Sequence, residues 1–199
     1  MTTQLSPDGS TRVAGAGTAP TGTTGPTSWS SGTKALLALT RVALGFVFLW
    51  AFLDKVFGLG YSTPGARSWL NGNSPTRGFL SNVEVGPLTG FFHSIAGTWW
   101  ADWLFMLGML GIGVALILGV AMRLAAVSGA VIMFMMWLAE FPLDKLTSAG
   151  EPSGSTNPLV DYHIIYALTG LVLAALGAGR AYGLGDLWSR MTKGNKLLQ

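Results

Sequence analysis

Carboxylates and histidines stand near the ends of this chain's long apolar segments, and they are the residues best able to do chemistry. The set comprises Asp54, Asp102, Glu140 and Asp161, together with Lys55, His93 and His163. Ionisable side chains at membrane depth are costly and usually functional, and histidine titrates near neutral pH. A buried carboxylate beside an imidazole could therefore bind a polar headgroup or relay protons.

Helix direction divides the four carboxylates into two pairs. Asp102 and Asp161 open apolar segments, where a carboxylate can accept hydrogen bonds from free N–H groups. We therefore predict that both are helix caps. Asp54 and Glu140 end their segments, where the negative end of the helix dipole disfavours an anion. The position of these two requires another explanation.

Two explanations are open for Asp54 and Glu140. The first is ion pairing with a nearby cation: Lys55 or Arg67 for Asp54, and Lys145 for Glu140. The second is a proton or ligand site that combines these carboxylates with His163. The candidate catalytic set is accordingly Glu140, His163 and Asp54.

Metal and haem sites have little support. The chain has no cysteine and only two histidines, His93 and His163. A haem ligated by that pair is conceivable, but His93 lies in a segment predicted to rest at the membrane surface. We therefore predict no metal. The absence of cysteine excludes thiolate metal sites and disulfide exchange by this chain alone.

Four apolar segments must position these residues. In the first, KALLALTRVALGFVFLWAFLDK (34–55), residues 35–53 carry a single charge, Arg41. At about 1.5 Å per residue these 19 positions span about 28 Å, close to the ~30 Å hydrocarbon core of a bilayer. Arg41 is expected to snorkel towards the nearer interface. In the alternative register, the helix begins after Arg41 and includes Asp54 and Lys55.

The other three segments are residues 103–122, 124–139 and 161–179. Together the four predict an all-α fold, an integral membrane four-helix bundle that occupies residues 34–190. Residues 1–33 are small and polar, which predicts a disordered tail, and a basic tail of residues 191–199 follows. Apolar residues recur at steps of three and four from Leu88 to Trp99 and from Leu184 to Met191, which predicts short interfacial helices.

Loop charge predicts the orientation. The basic side carries Lys34, Arg41, Arg123, Arg180, Arg190, Lys193 and Lys196. By the positive-inside rule both termini are cytoplasmic, and loops 56–101 and 141–160 face outwards. The basic residues are scattered rather than clustered, so the lipid bilayer is the predicted partner and nucleic acid is not.

Several stretches of these segments carry a family resemblance. They are RVALGFVFLWAFLDKVFG in the first, LGIGVALILGVAMRLAAVSGAVIM across the second and third, and NPLVDYHIIYAL with GAGRAYGLG in the fourth. These stretches resemble the DoxX/DoxD family of small bacterial four-helix membrane proteins. The long first outer loop, GYSTPGARSWLNGNSPTRGFL, is similar to actinobacterial members. The resemblance implies a multi-pass protein of the bacterial plasma membrane.

The resemblance also implies a function. DoxD members are a subunit of a thiosulfate:quinone oxidoreductase, so it implies a quinone-linked oxidoreductase subunit with its site at the outer helix ends. Trp137 and Tyr166 would stack on the quinone, and Arg67 and Arg77 would bind thiosulfate. The chain has no redox cofactor motif of its own, so membrane quinone would be the electron acceptor.

A second function needs only the bundle and its exposed loops. Other relatives are membrane partners of oxidative-stress or thiol-metabolism proteins, which implies a non-enzymatic anchor or assembly partner for a soluble redox enzyme. Small-solute transport is disfavoured, because four helices without inverted repeats or broken segments make a poor transporter. Whether the chain is an enzyme stays open. A protein partner subunit or a homo-oligomer is expected in either case.

Overall fold

The computed structural model describes residues 29–84, 86–147 and 149–195. Within these ranges the regular elements are seven α-helices and three short 3₁₀ segments, and one isolated β-bridge joins Leu146 and Pro152. The predicted all-α fold is therefore confirmed for this part of the chain. Most of the predicted disordered tail and the last four residues of the predicted basic tail lie outside it.

The helices follow the predicted segments with shifted ends. They are α1 (Ser31–Phe57), α2 (Arg77–Leu80), α3 (Thr89–Ile95), α4 (Trp99–Leu118), α5 (Met122–Glu140), α6 (Tyr162–Ala175) and α7 (Gly185–Met191). The 3₁₀ segments are Gly65–Arg67, Trp69–Asn71 and Ala178–Arg180. The predicted interfacial helices correspond to α3 and α7, each seven residues long.

Three helices, α1, α4 and α5, are long and apolar enough to cross a membrane by length and composition. The fourth predicted segment forms α6, which has 14 residues. At about 1.5 Å per residue that is about 21 Å, less than the ~30 Å of the hydrocarbon core. Gly177, in the left-handed conformation, ends this region, and a 3₁₀ turn follows. The structure thus gives three candidate spans and one shorter apolar helix, and a fourth crossing stays a prediction.

The helices pack in antiparallel pairs: α1 with α4, α4 with α5, and α5 with α6. Arg41 of α1 contacts Leu116 of α4, and a Cβ on Gly113 would lie 2.7 Å from the backbone nitrogen of Leu49, so α1 and α4 approach closely. Helices α5 and α6 pack extensively against each other, and α4 packs against α5. The ends of α1 and α5 therefore lie beside the starts of α4 and α6. We call this the loop end of the bundle.

Arg41 is buried inside the bundle, and the expectation that it snorkels to the interface is wrong. Its side chain is 1% exposed. Nη1 donates to the carbonyl oxygens of Leu116 at 2.6 Å and Ile117 at 2.9 Å, and Nη2 donates to that of Ala181 at 3.4 Å. These carbonyls at the end of α4 have no partner within their own helix. The guanidinium therefore caps α4, where the dipole also favours a cation.

The two alternative registers of the first segment merge into one helix. Helix α1 has 27 residues and includes Arg41, Asp54 and Lys55. It begins at Ser31, three residues before the predicted start of the bundle, because the Ser30 side chain accepts a hydrogen bond from the backbone N–H of Thr33 at 3.2 Å. Gly58, in the left-handed conformation, ends it.

The predicted orientation can be tested with single cysteines, because the natural chain has none. Ser81→Cys and Ser155→Cys lie at exposed positions near the loop end, and Asn195→Cys lies beyond α7. We expect an impermeant maleimide added to intact cells to label the first two and to spare the third until the cells are lysed. Labelling of Asn195→Cys alone in intact cells would reverse the orientation. Labelling of all three would show that α6 does not cross the membrane.

Candidate functional site

A histidine and two carboxylates meet at the loop end, where α5 ends and α6 begins. His163 lies in the first turn of α6 and is fully buried. Its Nδ1 lies 2.6 Å from Oδ2 of Asp161 and 3.9 Å from Oε2 of Glu140. We call these three residues the His163 cluster. Two of the three predicted catalytic residues, Glu140 and His163, are thus neighbours.

Local helix chemistry explains how Asp161 enters the cluster. As predicted, it caps α6: Oδ1 accepts hydrogen bonds from the backbone N–H groups of His163 at 3.0 Å and Ile164 at 3.3 Å. The other carboxylate oxygen remains free for the imidazole two residues later. One aspartate therefore starts the helix and also orients its histidine. In the sequence, the spacing Asp-x-His at the start of an apolar segment indicates this arrangement.

Glu140 connects the cluster to solvent. It is the last residue of α5, and its side chain is 37% exposed, against 1% for His163 and 14% for Asp161. The predicted ion pair with Lys145 is absent from the described part of the chain, where the ionisable group paired with Glu140 is His163. An imidazole, rather than a lysine, is therefore the neighbour of this carboxyl group at the unfavourable end of the α5 dipole.

The second ring nitrogen of His163, Nε2, is buried and makes no hydrogen bond within the described ranges. A buried polar atom without a partner is costly, and such atoms in a native fold call for an explanation. Nδ1 faces the two carboxylates, so the free Nε2 lies on the opposite edge of the ring. An imidazole held in this way can pass a proton from one edge to the other.

Aromatic side chains surround this end of α5 and α6. Trp137 stacks on Phe134 and contacts Phe141, with ring centroids 5.5 Å and 4.9 Å apart. Its Nε1 donates to the Leu159 carbonyl oxygen at 2.9 Å.

Tyr166 packs against the main apolar core and lies edge-to-face with Tyr162, with ring centroids 5.8 Å apart. The Tyr162 ring in turn lies 4.0 Å from the ring of His163. Both predicted stacking residues therefore belong to the helices that carry the cluster.

The His163 cluster also has the composition of a metal site. It offers one nitrogen and two carboxylate oxygens, all within 4.8 Å of one another. The 2.6 Å contact between Nδ1 of His163 and Oδ2 of Asp161 is a hydrogen bond, so one of these two atoms carries a proton. A metal at Nδ1 would have to displace that proton. The geometry therefore favours a proton site over a metal site.

Asp54, the third predicted catalytic residue, is not part of the cluster. It is 1% exposed, and its carboxylate accepts hydrogen bonds from the Tyr61 N–H at 3.2 Å and from the N–H and hydroxyl of Ser62 at 3.0 and 2.7 Å. No ion pair with Lys55 or Arg67 occurs in the described part of the chain. Asp54 instead fixes the turn that follows α1, which accounts for its position without a catalytic role.

Asp102 also accepts hydrogen bonds from the first loop. The prediction that it caps a helix is wrong. Helix α4 begins at Trp99, so Asp102 lies inside the first turn, and its Oδ1 accepts hydrogen bonds from three groups of the first loop. The donors are the Ser74 hydroxyl at 2.8 Å and the N–H and hydroxyl of Thr76 at 3.1 and 2.6 Å. The two buried aspartates therefore hold two parts of the first loop, Asp54 residues 61–62 and Asp102 residues 74–76.

Loss of the Asp102 carboxylate should release that loop. Asp102→Ala leaves the buried N–H and hydroxyl of Thr76 without their acceptor, which costs about 1–3 kcal/mol per unsatisfied buried group. We expect a lower melting temperature in detergent and faster proteolysis between residues 58 and 76. Asp144→Ala removes an exposed carboxylate from the other loop and is the matched control. Equal protease resistance in the two variants would show that Asp102 does not hold the loop.

The predicted anion ligands Arg67 and Arg77 lie in a different place. Both line a cavity of about 760 Å³ between the first loop and the adjoining ends of α1 and α4. His93, the other histidine, directs Nε2 to the Val83 carbonyl oxygen at 2.8 Å and lies on α3, away from the His163 cluster. The structure thus separates the predicted site residues into a cluster at α5 and α6 and a cavity at α1 and α4.

Comparison with known proteins gives one match. A protein-family model described as DoxX matches residues 36–140, just over half of the chain. The match runs from α1 to the end of α5 and includes Glu140, whereas Asp161 and His163 lie beyond it. No curated protein and no solved structure matches the chain.

Proposed function

This chain belongs to the DoxX family, and on that premise we propose that it is the membrane subunit of a quinone-linked oxidoreductase of the thiosulfate:quinone type. The observation that carries the proposal is the buried imidazole of His163. One edge of this ring lies beside two carboxylates, and the other presents a nitrogen that has no hydrogen-bond partner among the described residues. Quinone reduction needs such a group, because it consumes protons at a site shielded from water.

The chemistry divides between this chain and a partner. Oxidative coupling of two thiosulfate ions to tetrathionate releases two electrons, and a quinone takes up these electrons with two protons to become a quinol. We assign the sulfur chemistry to a partner subunit, because this chain has no cysteine. We assign proton delivery to the His163 cluster. Binding of thiosulfate by Arg67 and Arg77, predicted from the sequence, is not part of this proposal.

A proton path follows from the burial of the three side chains. Glu140 is partly exposed, and its Oε2 lies 3.9 Å from Nδ1 of His163. The imidazolium would release its Nε2 proton to a quinone oxygen while its Nδ1–H stays hydrogen-bonded to Asp161, and Glu140 would bring a proton from the loop-end solvent to the cluster. Asp161 would hold the ring and stabilise the imidazolium that forms during the transfer.

A quinone must reach Nε2 from the bilayer. Trp137 and Tyr166 lie on the helices that carry the cluster, and they provide flat apolar surfaces for a quinone ring. Because Nε2 is buried, the side chains around it must move to admit the ring. We therefore expect quinone binding to depend on α5 and α6 rather than on α1 and α4.

Native membranes test the proposal. We expect thiosulfate-dependent reduction of a soluble quinone in membranes that contain the chain, and its loss when the gene is deleted. Reintroduction of the wild-type chain should restore it, whereas a His163→Gln chain that accumulates to the same level should not. If wild-type membranes reduce no quinone with thiosulfate while a soluble redox enzyme co-purifies with the chain, the function is that of a membrane anchor.

A further inference from the structure

The cavity of about 760 Å³ lies where a lipid headgroup would lie. Its wall combines the last turn of α1, the first turn of α4 and the loop between residues 62 and 79. Because α1 and α4 are candidate membrane spans, their adjoining ends mark the boundary between hydrocarbon and water. Trp99 and Trp103, 77% and 51% exposed, line the same wall, as aromatic residues do at membrane interfaces.

Three cations line this cavity, and none of them forms an ion pair within 4 Å in the described part of the chain, although Asp54 lies next to Lys55 in sequence. They are Lys55, Arg67 and Arg77. The one carboxylate in the wall, Asp102, already accepts three hydrogen bonds from Ser74 and Thr76. The cavity is therefore positive and has unused donors, which is the condition for binding an anion.

The loop that carries Arg67 and Arg77 is fixed before any ligand arrives. Gly97, at φ +73°, allows the Arg77 guanidinium to lie against it: a Cβ there would be 2.5 Å from Nε. Asn73 fixes the backbone next to Arg67, because its Nδ2 donates to the Ala66 carbonyl oxygen at 3.0 Å. Trp69 packs edge-to-face on Trp103, 4.8 Å away, and so joins the loop to α4. A preorganised site loses less conformational entropy on binding.

The size of the cavity argues against a bare oxyanion as its ligand. Pockets of ~300–1,000 Å³ hold drug-sized molecules, whereas a small oxyanion would leave most of this volume to water. An amphiphile fits better, because its anion would lie among the three cations and its apolar part beside Trp99 and Trp103. We propose that this cavity binds the phosphate headgroup of an anionic phospholipid. The proposal is independent of the quinone chemistry at His163.

Lipid-dependent melting tests this site. We expect phosphatidylglycerol in mixed micelles to raise the melting temperature of the purified chain above the value in phosphatidylcholine, and to do so less at high salt. Lys55→Gln, Arg67→Gln and Arg77→Gln should each weaken the apparent affinity for phosphatidylglycerol by about fivefold. Lys145→Gln removes an exposed cation from the other loop and should leave it unchanged. An equal loss in Lys145→Gln, or equal melting in the two lipids, would overturn the proposal.

Two further measurements separate a lipid from a free anion and do not depend on variants. Inorganic phosphate or thiosulfate at millimolar concentration, added in phosphatidylcholine micelles, should not reproduce the shift. If either anion does so and phosphatidylglycerol then adds nothing, the ligand is a free oxyanion and the lipid assignment is wrong. Native mass spectrometry of the wild type should retain phosphatidylglycerol in the presence of excess phosphatidylcholine. Retention of the two lipids in their bulk ratio would contradict the proposal.

Discussion

Arg41→Met is expected to lower the free energy of unfolding by about 2–6 kcal/mol. The side chain donates to the carbonyl oxygens of Leu116 and Ile117 at the buried end of α4. Methionine fills similar space but leaves both acceptors without a donor, at about 1–3 kcal/mol each. The measurement is reversible unfolding in mixed micelles, followed by the loss of helical circular dichroism.

Lys34→Met is the matched control for Arg41→Met. Lys34 lies on the same helix and is exposed, so its loss should change the unfolding free energy by no more than about 0.5 kcal/mol. Arg41→Lys should lie between the two, because an ammonium group keeps the charge but cannot reproduce the planar fork of donors. Equal stabilities for Arg41→Met and Lys34→Met would show that the guanidinium does not hold α4.

His163→Gln is expected to lower the rate of quinol formation by about 10²–10⁴-fold. Glutamine retains an N–H group that can donate to Asp161 but cannot accept and release a proton. The helix cap made by the Asp161 carboxylate does not depend on the ring, so the variant should still accumulate in membranes. The measurement is thiosulfate-dependent reduction of a soluble quinone, normalised to the amount of chain present.

Two further variants test whether the loss of rate is specific to His163. Glu140→Gln removes the solvent-facing carboxylate and should reduce the rate less than His163→Gln, because water can partly replace an exposed group. His93→Gln changes the other histidine, whose Nε2 contacts the Val83 carbonyl oxygen, and should leave the rate unchanged. A rate in His163→Gln equal to that of His93→Gln would remove His163 from the mechanism.

The sequence predicted the long helices because the bilayer sets their length and their apolar character. Their exact ends could not be predicted, because they depend on contacts from elsewhere in the chain. Helix α4 begins at Trp99, before the predicted residue 103, and Asp102 is then free to hold Ser74 and Thr76. Capping could be predicted only where the acceptor and donors are neighbours, as for Asp161.

Buried charges were the least predictable feature. Snorkelling of Arg41 was inferred from one helix considered in isolation, but its acceptors lie on α4 and beside Ala181. Asp54 likewise was assigned to a shared site because the topology placed it at the loop end. Its donors, Tyr61 and Ser62, are close in sequence, but nothing in the pattern indicated that the turn would fold back onto it.

The central claim is that a quinone binds at His163, and the most direct measurement is the thermal shift of the purified chain on addition of a soluble quinone analogue. Any ligand that binds only the folded state raises the melting temperature by an amount that grows with the ratio of its free concentration to Kd. We expect a concentration-dependent shift in the wild type and in His93→Gln, and its loss in His163→Gln. No shift in the wild type, or an undiminished shift in His163→Gln, would contradict the claim.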